Sequence, residues 1–276
     1  MPASTYASPM EKGWYYLHRL ICTAVLLFLI APILVIIPLS FNSVPFFSYP
    51  MPGLSLRWYQ EFFLGNQWQV ALYNSIFVAV SVTLLSTTLG TLAALGLSRP
   101  NFPWRAALLS LLISPIMVPV VITAVAMYFF YADVGLLNTY LGLILAHTTI
   151  ATPFVVITVT ATLTGFDHSL TRAAAGLGAP PVTVFFNVTL PLILPGMISG
   201  ALFAFGSSFD EVVLALFIAS VDQRTLPRTM FSGIREEINP TITAAATILI
   251  LFSIAMLTTV ELLRRRSERL RGIRNS

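Results

Sequence analysis

The sequence predicts an all-α integral membrane protein of six transmembrane helices, and three observations predict it. Of its 276 residues, 57% are hydrophobic and only 9% are charged. Several uninterrupted apolar stretches approach or exceed the roughly 20 residues that cross a bilayer core. The basic residues gather beside those stretches: six of the fifteen fall in the final positions 264–276, as Arg264, Arg265, Arg266, Arg269, Arg271 and Arg274. A basic tail directly after an apolar run is a cytoplasmic membrane flank, so the formal charge of +4 points to a membrane surface and not to nucleic acid. The whole chain, 1–276, reads as one membrane domain.

The spans follow in order. The first runs from about Leu20 to Leu39 without a charge, behind an interfacial belt of Trp14, Tyr15 and Tyr16 with Lys12 and Arg19 beside it. It is long for the apolar core of a signal peptide and no A-x-A site follows, so it reads as an anchor that is kept. The second lies near Val70 to Leu97, the third at Ala106 to Tyr131 and the fourth at Leu141 to Leu163. The fifth covers Leu192 to Ser220 and the sixth Ile242 to Val260. Pro32, Pro115, Pro119, Pro153 and Pro195 fall inside spans, where neighbouring helices or water can satisfy the carbonyls that proline frees. Kinked helices of this kind suit a bundle that moves.

Counting bases orients the chain. With six spans both termini share a side, which collects Lys12, Arg19, Arg99, Arg105, Arg172 and the six C-terminal arginines. The other side receives Arg57, Arg224, Arg228 and Arg235. Eleven against four places both termini in the cytoplasm. Of the outer segments, 42–69 is rich in proline and aromatic residues and reads as ordered and interface-hugging, with Trp58, Tyr59 and Trp68 among its rings. Segment 221–240 carries Ile234-Arg-Glu-Glu-Ile238, a short charged helix. Either segment could meet an external protein, or serve as a solvated connector.

Several chemistries are excluded. Lys12 is the only lysine, so no G-x-x-x-x-G-K-[ST] loop can hold phosphates and this chain is not a P-loop ATPase by itself. His18, His147 and His168 are scattered, without H-E-x-x-H or a second ligand at helical spacing, so no metal site is expected; His147 reads as a packing or cavity residue. The lone Cys22 cannot form an intrachain disulfide. No catalytic residue and no cofactor bound by this chain are expected.

The connector between spans four and five, about 165–191, is the most informative feature. Leu170 to Gly176 favours helix around an alanine run, and Gly178 offers a left-handed stop. Pro180-Pro181 lets a second helix begin at once, running toward Phe185-Phe186 and ending near Pro191. The result is an elbow that projects from the membrane, on the cytoplasmic side by the charge count. Its alanines would permit a tight protein contact, although an alanine-rich stretch is also simply a good helix former.

The elbow resembles the E-A-A, three residues, Gly, nine residues, I-x-L-P signature of bacterial ATP-binding-cassette importer permeases. Ala173, Ala174, Gly178, Leu190 and Pro191 match it, and Val188 stands where isoleucine is usual. Arg172 departs from it, because glutamate is usual there, and reverses the charge shown to a partner. The resemblance implies the type I importer permease fold, in which this elbow is a cytoplasmic coupling helix docked in a cleft of an ATPase subunit.

Phe209-Asp-Glu-Val-Val213 places two carboxylates in an otherwise apolar fifth span. Each costs roughly 2.5 to 3.5 kcal/mol at a lipid-facing helix centre, so Asp210 and Glu211 should face water, a partner or a pathway. A rise of about 1.5 Å per residue puts Asp210 about 27 Å from Leu192, nearer the outer surface. Adjacent helical positions point about 100° apart, so one acid should serve a solute path and the other a neighbouring helix or subunit. An ion pair with an arginine is the structural alternative. Gly196, Gly200, Ala204 and Ser208 form a small-residue stripe, which reads as the face that meets a second permease subunit.

Over nearly its full length the chain resembles permeases of the spermidine/putrescine importer group. The stretches that carry the likeness are Leu56-Arg-Trp-Tyr59, Ser114-Pro-Ile-Met-Val-Pro119, Phe209-Asp-Glu-Val-Val213 and Asn239-Pro240. The group also serves opines, aminophosphonates and other amines. It implies a bacterial inner-membrane subunit partnered by a second permease, two copies of an ATPase that holds ATP and Mg, and a periplasmic solute-binding protein. Transport would be inward by alternating access, along a path that includes Phe209, Asp210 and Glu211. An ion-coupled secondary transporter should instead show repeats between its halves, and none is evident. A non-transporting membrane scaffold would leave the two acids without purpose.

Overall fold

The computed structural model describes residues 8–99, 102–236 and 239–270. The described residues are mainly helical, without a strand beyond one isolated bridge, Asn42 to Leu54. Five helices are long and apolar enough to cross a membrane, or up to six if one bent pair counts as a single span. The side chains of Arg264, Arg265, Arg266 and Arg269, the residues Arg271 and Arg274, and Glu237 and Ile238 of the expected outer helix lie outside the described residues.

The bent pair corrects the third span. In place of one helix from Ala106 to Tyr131 there are α4 (Arg105–Met117) and α5 (Val120–Asp133), turned by 100°. Proline explains the break. Pro119 has no amide to continue the ladder, and it pushes the residue before it out of the α region; Val118 is extended at φ −81°, ψ 131°.

The chain divides into two compact units, 1–63 with 237–249, and 64–236 with 250–276. In the first unit α1 (Pro9–Leu39) opens with a capping box, in which Ser8 and Glu11 satisfy one another's amides. It buries no residue. The segment after it is ordered, as its aromatic content predicts. Buried Trp58, on α2 (Arg57–Leu64), donates its Nε1–H to the Asn42 carbonyl at 2.6 Å, and Tyr59 and Ser40 hydroxyls meet at 2.7 Å.

The second unit is built on three helices packed together: α3 (Asn66–Leu97), α6 (Tyr140–Thr164) and α9 (Leu190–Phe209). Val78, Val82, Leu143, Val155, Val159 and Ile193 form its core. Small residues set the spacing. A Cβ at Gly90 would come within 2.7 Å of Val155 Cβ, one at Gly200 within 2.9 Å of Val155 Cα, and one at Gly196 would collide with Thr162 Oγ1. The stripe of Gly196, Gly200, Ala204 and Ser208 is therefore filled by α6 of the same chain, not by a second subunit. Helical period identifies a small face but not the helix that occupies it.

The far ends of α3 and α6 are tied to a loop by polar contacts. Asn74 Nδ2 donates to the Asp222 and Arg224 carbonyls at 2.8 and 3.0 Å, and Tyr140 O–H donates to Asn74 Oδ1 at 2.8 Å. The Leu226 amide, at the start of α11 (Leu226–Glu236), donates to Ser75 Oγ. Buried polar groups satisfied in this way fix the loop against the bundle.

Candidate functional site

Two helix interruptions in the second unit hold the residues of interest. The first is the elbow. After α6, Asp167 caps α7 (His168–Gly176), its Oδ1 accepting from the Ser169 amide at 2.8 Å. Bonding from Ser169 holds the Asp167 carboxyl below the usual carboxylate range. The helix stops in a Schellman motif: the Ala179 amide reaches the Ala174 carbonyl at 3.2 Å and the Gly178 amide reaches Ala175 at 2.9 Å. Gly178 stands at φ +85°, which a β-branched residue adopts only with strain. Local hydrogen bonds thus close the turn completely.

Side chains around the turn are left facing outward. Arg172, Ala173 and Gly178 are exposed, Ala174 is half-buried, and Leu177 at the tip is 90% exposed. The remaining signature residues serve elsewhere. Leu190 packs against the core of the bundle, and Pro191 lies in the first turn of α9. The second helix of the elbow does not end near Pro191, as the sequence suggests. The short α8 (Pro181–Val184) passes through a π turn (Phe185–Thr189) straight into α9. In the π turn the Leu190 amide reaches back five residues to the Phe185 carbonyl. The ladder is therefore already shifted where Pro191 lacks a donor, and the helix continues.

The second interruption falls at Asp210. The fifth span does not run on to Ser220: α9 ends at Phe209, and α10 (Val213–Ile218) begins after a break. Asp210 caps the end of α9 with near-helical backbone, φ −94° and ψ −1°, its amide still bonded to the Gly206 carbonyl at 3.1 Å, whereas Glu211 lies past the helix end in the break. Their side chains differ sharply. Glu211 Oε1 accepts from the Val213 and Leu214 amides at 2.7 and 3.0 Å, capping the start of α10. Asp210 is exposed, and among the described residues its carboxylate has no hydrogen-bond or ion-pair partner.

Asp210 borders an open cleft of about 430 Å³. Phe154 of α6 and Phe203 of α9 form one wall, stacked with centroids 6.3 Å apart, and Gly206, Ser207 and Glu211 adjoin the acid. Phe209 does not line it. It is buried beneath Phe205 and Phe252, at 5.4 and 5.2 Å between centroids. The sequence reading missed Phe154, Phe203 and Ser207. Phe203, Ser207 and Asp210 sit at i, i+4 and i+7, one helical face, so the signal was present for two of the three; Phe154 comes from another helix. Chemically the cleft offers two adjacent carboxylates, Glu211 held by backbone amides and Asp210 without a partner, beside two phenyl rings, the elements of a site for an organic cation.

His147 is fully buried on α6, with Nδ1 3.0 Å from Ser208 Oγ, the packing role expected of it. No group of three or more His, Cys, Asp or Glu residues that could hold a metal occurs among the described residues.

Residues 86–270, more than half of the chain, match the family described as the binding-protein-dependent transport system inner membrane component. The chain is 32% identical over 253 residues to the spermidine/putrescine transport system permease protein PotC of Haemophilus influenzae, covering 92% of this chain and 98% of that one. It is 35% identical over 234 residues to the putrescine transport system permease protein PotI of Escherichia coli, covering 81% and 82%. A solved bacterial ABC transporter involved in import of the acidic polysaccharide alginate superposes with a TM-score of 0.74 at 15% identity, over 95% of this chain and 99% of that chain. That likeness is one of fold, the type I importer permease fold.

Proposed function

The chain belongs to the family of inner-membrane components of binding-protein-dependent transport systems, and on that premise we propose that it carries a small organic cation of the polyamine class into the cytoplasm. It is a multi-pass permease subunit and not an enzyme. The observation that carries the choice of solute is the unpartnered Asp210 carboxylate, set in a cleft beside Phe154 and Phe203. An ammonium group pairs with the acid, while methylene segments and neighbouring charge lie over the rings. The names of the PotC and PotI relatives agree with this chemistry. An acidic solute such as the alginate named for the structural neighbour would meet Asp210 in repulsion.

In this reading the chain performs no covalent step. A periplasmic binding protein delivers solute to the mouth beside Asp210. The exposed elbow, from Arg172 to Gly178, docks on one of two ATPase subunits, which hold ATP and Mg, and a second permease completes the path. Closure of the ATPases moves the elbow, and the bundle passes between two states that solute and nucleotide bias at separate sites. Arg172 presents a positive charge to the ATPase where glutamate is usual, so its partner surface should carry an acid. With the bent pair α4–α5 counted as one crossing, the excess of basic residues on the side of the elbow and the termini supports a cytoplasmic location for both.

The test is solute-stimulated ATP hydrolysis by the reconstituted assembly with its binding protein, wild type against Asp210→Asn. Stimulation by putrescine or spermidine that falls in the variant supports the reading. Stimulation by an anionic solute, indifferent to the substitution, overturns the cation assignment and leaves the importer.

A further inference from the structure

The foot of the elbow encloses a second cavity, of about 420 Å³, that neither coupling nor the solute path uses. Its walls come from elements that end together here: Leu95 of α3, Leu163 of α6, and Phe166 and Phe185 beside α7. Polar groups occupy its rim. Arg99, His168 and Thr189 all line it, and none of their side chains has a hydrogen-bond partner among the described residues. The other hydroxyls are already committed, Ser98 to the Leu95 carbonyl and Thr171 to the His168 carbonyl, each at 2.9 Å. Asp167, next to His168, is engaged as the cap of α7. The cavity therefore gathers three free donors, one of them a permanent cation, over an apolar floor.

We propose that this cavity binds a phosphate-bearing anion, and that the headgroup of an anionic phospholipid of the inner leaflet supplies it. Arg99 provides the planar fork that suits a phosphate, while His168 and Thr189 can each donate one further hydrogen bond. Leu95, Leu163, Phe166 and Phe185 give the glycerol and upper chain an apolar seat. Basic pockets between membrane helices at the cytoplasmic surface recognise such headgroups. The volume lies within the range of about 300–1,000 Å³ that small-ligand sites occupy. The occupant would bridge the end of α3 at Arg99, α7 at His168 and the π turn at Thr189, pinning the elbow to the bundle.

The leaflet rests on the cytoplasmic placement of the elbow proposed above. Binding itself needs neither solute nor ATP, so its test stands apart from the transport test. Native mass spectrometry of the detergent-purified assembly, titrated with phosphatidylglycerol or phosphatidylcholine, counts retained lipid. Wild type should retain phosphatidylglycerol in preference, and Arg99→Gln should weaken retention about fivefold, the effect of one basic contact at a membrane surface. Co-purification of the ATPase reports an intact assembly. Should Arg99→Gln fail to assemble, Thr189→Val replaces it, with loss of one hydrogen bond expected to weaken retention several-fold. Inorganic phosphate forms the competing arm: displacement of the lipid by it keeps the phosphate site and overturns the lipid as its source. Equal retention in wild type and variant overturns the site. Failed transport with lipid retained would count against the solute reading alone.

Discussion

The chain breaks its helices at Gly178 and again at Asp210, and it finishes the two breaks in opposite ways. At Gly178 the backbone satisfies itself through a Schellman motif, and Arg172, Ala173 and Leu177 around it are exposed. At Asp210 a side chain does the capping: Glu211 closes the start of α10, and its neighbour is left as a free carboxylate in a cleft. A turn that needs no help from its side chains can give them all to a protein surface. A turn that uses one acid can present the other to a solute. The difference assigns shape to the elbow and charge to the cleft.

Removing the charge is the severest way to break that comparison. Asp210→Asn should raise the solute concentration for half-maximal uptake by about tenfold to a hundredfold, the worth of a hydrogen-bonded charge, with assembly and thermal midpoint unchanged. Uptake assays in proteoliposomes read the first and a melting curve the second. A collapse of assembly would mean that Asp210 is structural after all. Gly178→Val should come next. Forcing a β-branched residue to φ +85° costs about 1–2 kcal/mol, or about tenfold, in the docked elbow. Transport should fall while the assembly still hydrolyses ATP, and normal coupling in this variant would sink the elbow model.

The neighbour of each residue sharpens the contrast. Glu211→Ala removes a cap worth about 1 kcal/mol and should lower the thermal midpoint by about 2–4 °C, whereas Asp210→Asn should not move it. Asp167→Ala should fray only the first turn of α7, seen as faster exchange of the Ser169 amide. Acid should do the same. The folded carboxyl is held below its ordinary range, so its stabilising contribution is present above the ordinary value and is lost as pH falls through the depressed one.

Much of the elbow was legible because its causes are local. The alanine run, Gly178 and Pro181 each act on residues within a turn of themselves, and so does Asp167, a cap that the sequence analysis did not pick out. The break at Asp210 was not legible, since Phe209-Asp-Glu-Val-Val contains neither glycine nor proline. It forms because α10 turns in to bury Leu214 and Ile218 against Ala124, Tyr131 and Ala146, contacts between residues far apart in sequence. The bend at Pro119 lay between these cases. The rule for residues preceding proline marks Val118, but a continuous apolar stretch of span length concealed it. For the glycine stripe the periodicity was correct and the partner was not, because Thr158, Thr162 and Val155 of α6 fill it from inside the chain.

The π turn keeps the elbow and the cleft on one continuous helical run, the geometry of a lever with two arms. Because Phe185–Thr189 does not interrupt it, one helical run of 29 residues joins Pro181, beside Gly178, to Phe209, beside Asp210. At about 1.5 Å per residue it is about 43 Å long. It lies hardest against α6 at Gly196 and Gly200, where α9 has no side chain and Thr158, Thr162 and Val155 of α6 reach its backbone. A fulcrum between those glycines leaves about 26 Å on the elbow arm and about 17 Å on the cleft arm. Tilting about it would move the Asp210 end opposite to the Gly178 end and by about two thirds as far. A stroke of a few ångströms at the elbow would thus reach the carboxylate reversed and geared down, enough to turn its charge without unpacking the bundle.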